Sequence, residues 1–317
     1  MRSVNRLALA ALAALLLAGC GDYSTEDLRF LAALPTREDL RVEVPADAAA
    51  PNAQTACEIG SAEAWTRARE SSDGLNRSVD WVLALVDLVR REPPSWREKD
   101  ARGWGPFDDR EHPGREIRVM ILREFPPELA GRPRHGYVFE ARVKGSAAWT
   151  TLIGGAFAGA SASRGAGELA VFFDRIRLLG MDDAGTPQGT LFVRYDRASE
   201  PRTFELVLDG GGFGLEGVGY AFSGYADGSG TFAYAFRNAR GDLLVVEAGF
   251  DAAGAGRANV AFAGALGGTG SFRQCWDASA CLVFVDDPLN LSCDELPGEG
   301  CSAGAETACP AVPASPF

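Results

Sequence analysis

Six cysteines carry the most defined chemistry in this sequence: Cys57, Cys275, Cys281, Cys293, Cys301 and Cys309. Five of them crowd the C-terminal end, and an even set of this kind suits disulfides in an oxidising compartment. Cys57 stands alone ahead of a helical stretch, so its partner is expected in the C-terminal group. Spacing does not choose among the possible connectivities. Zinc fits poorly, because there is no Cys-x-x-Cys and both histidines are far from the cluster.

The other reactive side chains form no convincing constellation. His112 and His135 sit in the Pro/Gly-rich stretches His112-Pro113-Gly114 and Arg134-His135-Gly136. A catalytic pair would need the neighbouring strands to bring the two loops together. Two solvated loop histidines are the plainer expectation, since a role needs a site and not only a residue type. Asp108-Asp109-Arg110-Glu111-His112 gathers hard-cation ligands without EF-hand spacing, and reads as a charged loop before a strand. Asp182-Asp183 and Asp286-Asp287 are followed shortly by Gly or Pro and read as turn residues rather than glycosidase carboxylates. Gly212 to Gly217 matches G-x-G-x-x-G, but an alternating segment follows where a dinucleotide site needs a helix. Gly300-Cys301-Ser302-Ala303-Gly304 matches the G-x-S-x-G of a nucleophile elbow, yet no histidine follows it. No catalytic residue, metal ligand or cofactor is therefore assigned.

The seventh cysteine has a different setting. Arg2 and Arg6 precede an apolar run from Leu7 to Leu17, and Leu17-Ala18-Gly19-Cys20 closes it. A charged start, a short apolar middle and small residues before a cut make a secretory signal peptide. The run is too short for a bilayer, which takes about 20 residues. The segment resembles the lipobox signal peptide of bacterial lipoproteins. That resemblance implies cleavage before Cys20, a diacylglycerol on its thiol, acylation of its amine, and a mature chain held to a membrane by lipid. Gly21 rather than Asp follows the cysteine, which under the best-known sorting rule implies the outer membrane of the cell envelope. The net charge is −12, and residues 1–19 contain two arginines and no acid, so the mature chain carries −14. Such a chain repels nucleic acid, and no nucleic-acid partner is expected.

These residues have to be positioned by a body of mainly β structure. Residues 20–59 read as a tether. Within it Ser24-Thr25-Glu26-Asp27 caps a short helix through Leu28, Phe30, Leu31 and Leu34, Leu40–Val44 alternates, and Pro45–Ala56 is a linker. Residues 61–92 carry two helical patterns, the second with Leu75, Val79, Val82, Leu85, Val86 and Val89 at spacings of three and four. From Glu116 the period changes to two. Eleven alternating segments follow, separated by Gly, Asp and Asn turns: 117–123, 137–144, 149–157, 168–173, 190–196, 203–208, 218–225, 231–236, 243–250, 258–262 and 281–285. A helical turn is expected near Arg175–Leu179. Phe232, Tyr234 and Phe236 share one face opposite Ala233 and Ala235.

The expected fold is mainly β (α+β): an antiparallel up-and-down meander forming a barrel or curved half-barrel, with the N-terminal helices packed against it. The expected divisions are 1–19 as signal peptide, 20–59 as lipid-anchored tether, 60–286 as the helix pair and meander, and 287–317 as a Cys/Pro/Gly-rich tail. Trp65, Trp81 and Trp149 are expected in the core, and Trp276 beside a disulfide. Trp96 and Trp104 are expected in a loop, as surface anchors or as pins to the core. The membrane, reached through lipid on Cys20, is the one partner implied. The functional expectation is a lipid-anchored envelope protein acting as an interaction or structural module. A carrier of a lipid or other apolar ligand stays open. So does an envelope enzyme using carboxylates alone. At the level of architecture alone, a sheet wrapped on a helix resembles the half-barrel carrier and sorting proteins of the bacterial envelope. An aromatic-lined cavity would favour the carrier, and converging buried carboxylates the enzyme. A filled core would favour the module.

Overall fold

The computed structural model describes residues 23–32, 34, 36, 57–62, 93–129, 132–159, 165–182, 186–211, 215–238, 240–265, 268–288 and 301–313, with scattered positions between 64 and 92. Cys20, the segments expected at 40–44 and 45–56, Trp81, Asp183 and Cys293 lie outside the described residues.

Fifteen antiparallel strands follow one another in a single meander sheet, each paired with its neighbours in sequence. They are β1 (Trp96–Glu98), β2 (Ala101–Asp108), β3 (Arg115–Glu124), β4 (Arg134–Val143), β5 (Thr150–Gly159), β6 (Gly165–Phe172), β7 (Thr190–Asp196) and β8 (Arg202–Asp209). The series continues with β9 (Leu215–Gly224), β10 (Gly230–Asn238), β11 (Leu243–Phe250), β12 (Gly256–Ala263), β13 (Thr269–Trp276), β14 (Leu282–Asp287) and β15 (Cys301–Gly304). The sheet is open, with β1 and β15 at its edges. A short helix, α1 (Thr25–Leu31), precedes the sheet, and α2 (Phe173–Leu178) interrupts it after β6. The described positions at 64–66, 69, 72, 76, 83, 86, 87 and 89–91 are helical.

Register follows the period-two pattern. Phe222, Phe232 and Ala248 pair across β9, β10 and β11, as do Tyr220, Tyr234 and Val246 on the same face. That inner face is buried on every strand from β3 to β13. It holds several glycines across which the ring of a neighbouring residue lies. A Cβ at Gly167 would fall 2.4 Å from the Tyr195 hydroxyl, one at Gly256 2.4 Å from Trp276, and one at Gly230 2.6 Å from Phe250. Glycine at these places lets a large ring lie flat on the backbone of the adjoining strand.

Four of the fifteen strands escape the sequence pattern. β2 is buried at Ala101, Arg102, Gly103 and Trp104 in succession. Its alternation is erased because the Trp96 ring covers Gly103 on one face while Arg102 meets Asp27. β1 is three residues long. β13 presents Gly270, Phe272, Gln274 and Trp276 inward, and glycine and glutamine hide the apolar row. β15 pairs Cys301 with Asp287 and Gly304 with Phe284 in what reads as a tail. Trp96 and Trp104 are thus strand residues, and Trp104 is 1 % exposed with its indole N–H donating to the Glu92 carbonyl. Trp149 corrects another expectation: it is half-buried outside the core cluster, with the Arg118 and Arg142 guanidinium groups 4.2 and 4.3 Å from its ring centre.

Disulfides join distant parts. Cys57 is bonded to Cys281, 224 residues away, and Ser61 forms a bridge with Cys281. Cys275 is bonded to Cys309, and Cys301 is disulfide-bonded as well. The chain after β15 lies over the sheet's outer surface. Glu306 pairs with Arg273 at 2.8 Å, and a Cβ on Gly249 would meet the Pro313 carbonyl oxygen at 2.7 Å.

Candidate functional site

Three places could carry function: the inner aromatic face, the ion-pair cluster under α1, and a groove on the outer surface. On the inner face Trp65 is the central group. Its ring centre lies 5.5 Å from Trp276, 5.6 Å from Phe250 and 6.3 Å from Phe232. Leu83, Val86 and Val89 belong to the same buried cluster, at 4 % exposure or less. Polar contacts reinforce this: the Ala64 N–H donates to the Gln274 side-chain oxygen, and the Ser72 and Tyr220 hydroxyls are 3.3 Å apart. Burial raises the Tyr220 phenol against the lowering influence of Ser72. The rings that could have lined an apolar cavity therefore have protein neighbours.

The cluster under α1 begins with its capping box. The Ser24 hydroxyl accepts from the Asp27 N–H, and the Asp27 carboxylate accepts from the Ser24 N–H. That places Asp27, 0 % exposed, over β1 and β2. Arg97 donates to it at 3.0 Å and Arg102 at 2.5 Å. Burial works to raise this carboxyl, but the Ser24 N–H and the two guanidinium groups hold it well below the usual carboxylate range. Arg123 pairs with Glu26 and, at 3.0 Å, with Asp100. Its guanidinium carbon lies 5.0 Å from the Phe30 ring centre and 5.6 Å from that of Phe125. His135 lies beneath, 5 % exposed, edge-on to Phe30, and neither ring nitrogen has a hydrogen-bond partner. Burial, aided by the nearby Arg123 charge, pushes it down to about 4. Every carboxylate here has an arginine partner, so the cluster fastens α1 and offers no free carboxylate.

The outer groove measures about 570 Å³ and crosses β5 to β8. Its floor is a register row: Gly154, Ala170, Phe192 and Val207 are directly opposite one another. The row continues through Gly219, Ala235, Val245 and Ala261. One side of the groove carries two ion pairs, Arg134–Glu168 at 3.4 Å and Arg194–Glu205 at 3.7 Å. Glu168 and Glu205 are separated by Arg194 on the intervening strand, so they do not converge on one reacting atom.

The residues singled out by sequence fall apart in space. His112 is near the start of β3, where its Nδ1 meets Asp109 at 2.9 Å. His135 is paired with Arg123 at the other end of the same ten-residue strand. At about 3.3 Å per residue the two ends are roughly 30 Å apart, which excludes a catalytic pair. Asp109 accepts from the Glu111 and His112 backbone, and Asp108 pairs with Lys144 at 2.6 Å. Among the described residues no group of three His, Cys, Asp or Glu could hold a metal ion. Asp286 pairs with Arg273, and Asp182 lies 3.5 Å from Arg177. A strand, β9, begins at Leu215 within the G-x-G-x-x-G segment itself, where a dinucleotide site needs a helix. Ser302 of the G-x-S-x-G match is on edge strand β15, with no helix next to it of the kind an elbow needs. Sequence reasoning found the Ser24 cap but not the arginines that meet Asp27, because they come from strands some 70 residues later.

Comparison of the chain with protein-family models, curated proteins and solved structures gives no match.

Proposed function

We propose that this protein is a lipid-anchored, non-catalytic module of the bacterial cell envelope, held to the outer membrane through Cys20. On this reading the sheet curls into a half-barrel around the described helical positions between 64 and 91, and its outer surface is the working face. The observation that carries it is Trp65, which sits among Phe232, Phe250 and Trp276 where a carrier would keep space for cargo. The disulfides fit an exported chain. No converging pair of unpartnered carboxylates supports an enzyme among the described residues.

The test is native mass spectrometry of a Cys20→Ser form exported to the periplasm, combined with organic extraction. The expected result is the chain mass less six hydrogens and an empty extract. A stoichiometric lipid or other apolar molecule in the extract would overturn the module in favour of the carrier.

A further inference from the structure

Only Gly21 and Asp22 lie between Cys20 and Tyr23, and Tyr23 is fixed through its hydroxyl to the Arg90 carbonyl at 3.1 Å. Extended chain spans at most about 3.6 Å per residue, so Tyr23 stays within roughly 12 Å of whatever holds Cys20. The α1 helix that follows cannot swing away, because Asp27 is tied to Arg97 and Arg102 and Glu26 to Arg123. One corner of the sheet is thereby committed to the neighbourhood of the anchor. That corner exposes large apolar side chains. Leu28 on α1 and Phe125, just past β3, are each 54 % exposed. Arg123 joins them: it lies against Phe125 and pairs with α1. Arg29 on the same helix pairs with Glu26 at 2.9 Å and is 69 % exposed, so its guanidinium also faces solvent where a phosphate would lie.

We propose that this corner, formed by α1 and the end of β3, lies on the lipid surface, with Leu28 and Phe125 inserted at the boundary of headgroups and acyl chains. The proposal rests on the lipid anchor at Cys20. The strongly acidic remainder of the chain is repelled by anionic headgroups, so the contact is limited to the corner and orients the molecule.

The test couples Cys20 of the mature chain to a maleimide phospholipid and binds it to vesicles of phosphatidylethanolamine and phosphatidylglycerol. Amide exchange is compared with that of the Cys20→Ser chain in solution. The corner segments 24–32 and 125–129 are expected to exchange about tenfold more slowly on vesicles. The opposite end, 143–149 and 176–181, should be unchanged, although it holds the exposed Val143 and Leu178. Leu28→Ser combined with Phe125→Ser should abolish the slowing while the melting temperature holds. Unslowed corner segments, slowing at the opposite end, or slowing that survives in the double variant would each overturn the proposal. The lipid anchor is read separately, from the mass of the N-terminal peptide of membrane-extracted protein. An unacylated Cys20 would end the anchor reading whatever the synthetic tether shows.

Discussion

Over β1 to β4, the inner face is met by α1, through charge: Asp27 between Arg97 and Arg102, Glu26 on Arg123, and a neutral His135 below. Over β10 to β13 it is met by Trp65, through rings, and the chain is stapled there by Cys57–Cys281 and Cys275–Cys309. The two regions answer the same requirement, covering an apolar face, with different sensitivities. Ion pairs around a buried carboxylate respond to acid. Rings and disulfides respond to reduction and to truncation. A short helix of seven residues has too little apolar surface to hold itself down, so paired charge supplements it.

Reduction should separate the regions most. Replacing Cys57 and Cys281 by serine frees a loop of 224 residues and should cost about 5 kcal/mol. The Cys275–Cys309 pair, 34 residues apart, should cost about 4 kcal/mol. Denaturant melts of the two double variants check the order, and equal losses would remove the loop-length argument. Next comes Trp65→Ala, 1 % exposed in the wild type, with an expected loss of about 4 kcal/mol. Its effect should be the same at pH 7 and pH 5, since the rings that Trp65 meets, Phe232, Phe250 and Trp276, do not titrate.

In the charged region, Asp27→Asn leaves Arg102 buried without its countercharge and should cost about 3 kcal/mol at neutral pH. Below about pH 4 the wild type loses the same advantage, because a carboxyl held low in the folded state stabilises only while ionised. The two melts should therefore converge in acid. His135 acts in a higher window. Its folded value near 4 lies below the ordinary 6.5, so between these limits the unfolded chain takes up a proton that the folded one refuses. Stability should fall by up to about 3 kcal/mol as pH drops from 6.5 to 4. His135→Phe should flatten that slope, and an unchanged slope would place the titration elsewhere. The smallest effect belongs to the outer surface: Arg194→Ala breaks a pair that is 71 % and 47 % exposed and should shift stability by less than about 1 kcal/mol.

How much of this was legible depended on how cleanly each strand alternates. Thr190–Asp196 and Leu243–Phe250 match their expected bounds because each apolar-rich run ends at Gly- and Asp-bearing turns. The strand-then-helix reading near Arg175 also holds, as β6 followed by α2. β1 and β2 were hidden because Trp96 folds back over Gly103 and the inner side meets charge rather than apolar residues. Trp149 misled because an indole between two guanidinium groups has the same sequence signature as a core indole. Of the candidate sites, the Cys57–Cys281 staple was half visible, from the isolation of Cys57. The groove floor was not visible at all: a row through Gly154, Ala170, Phe192 and Val207 exists only once registers are set.

The account turns on whether the chain's own Trp65 occupies the inner face, and photocrosslinking tests that most directly. p-Benzoylphenylalanine in place of Trp65 should, on irradiation, link to peptides containing Phe232, Phe250 and Trp276. Crosslinks to a co-purified lipid, or none within the chain, would mean that the aromatic face is open, and the module reading would give way to a carrier.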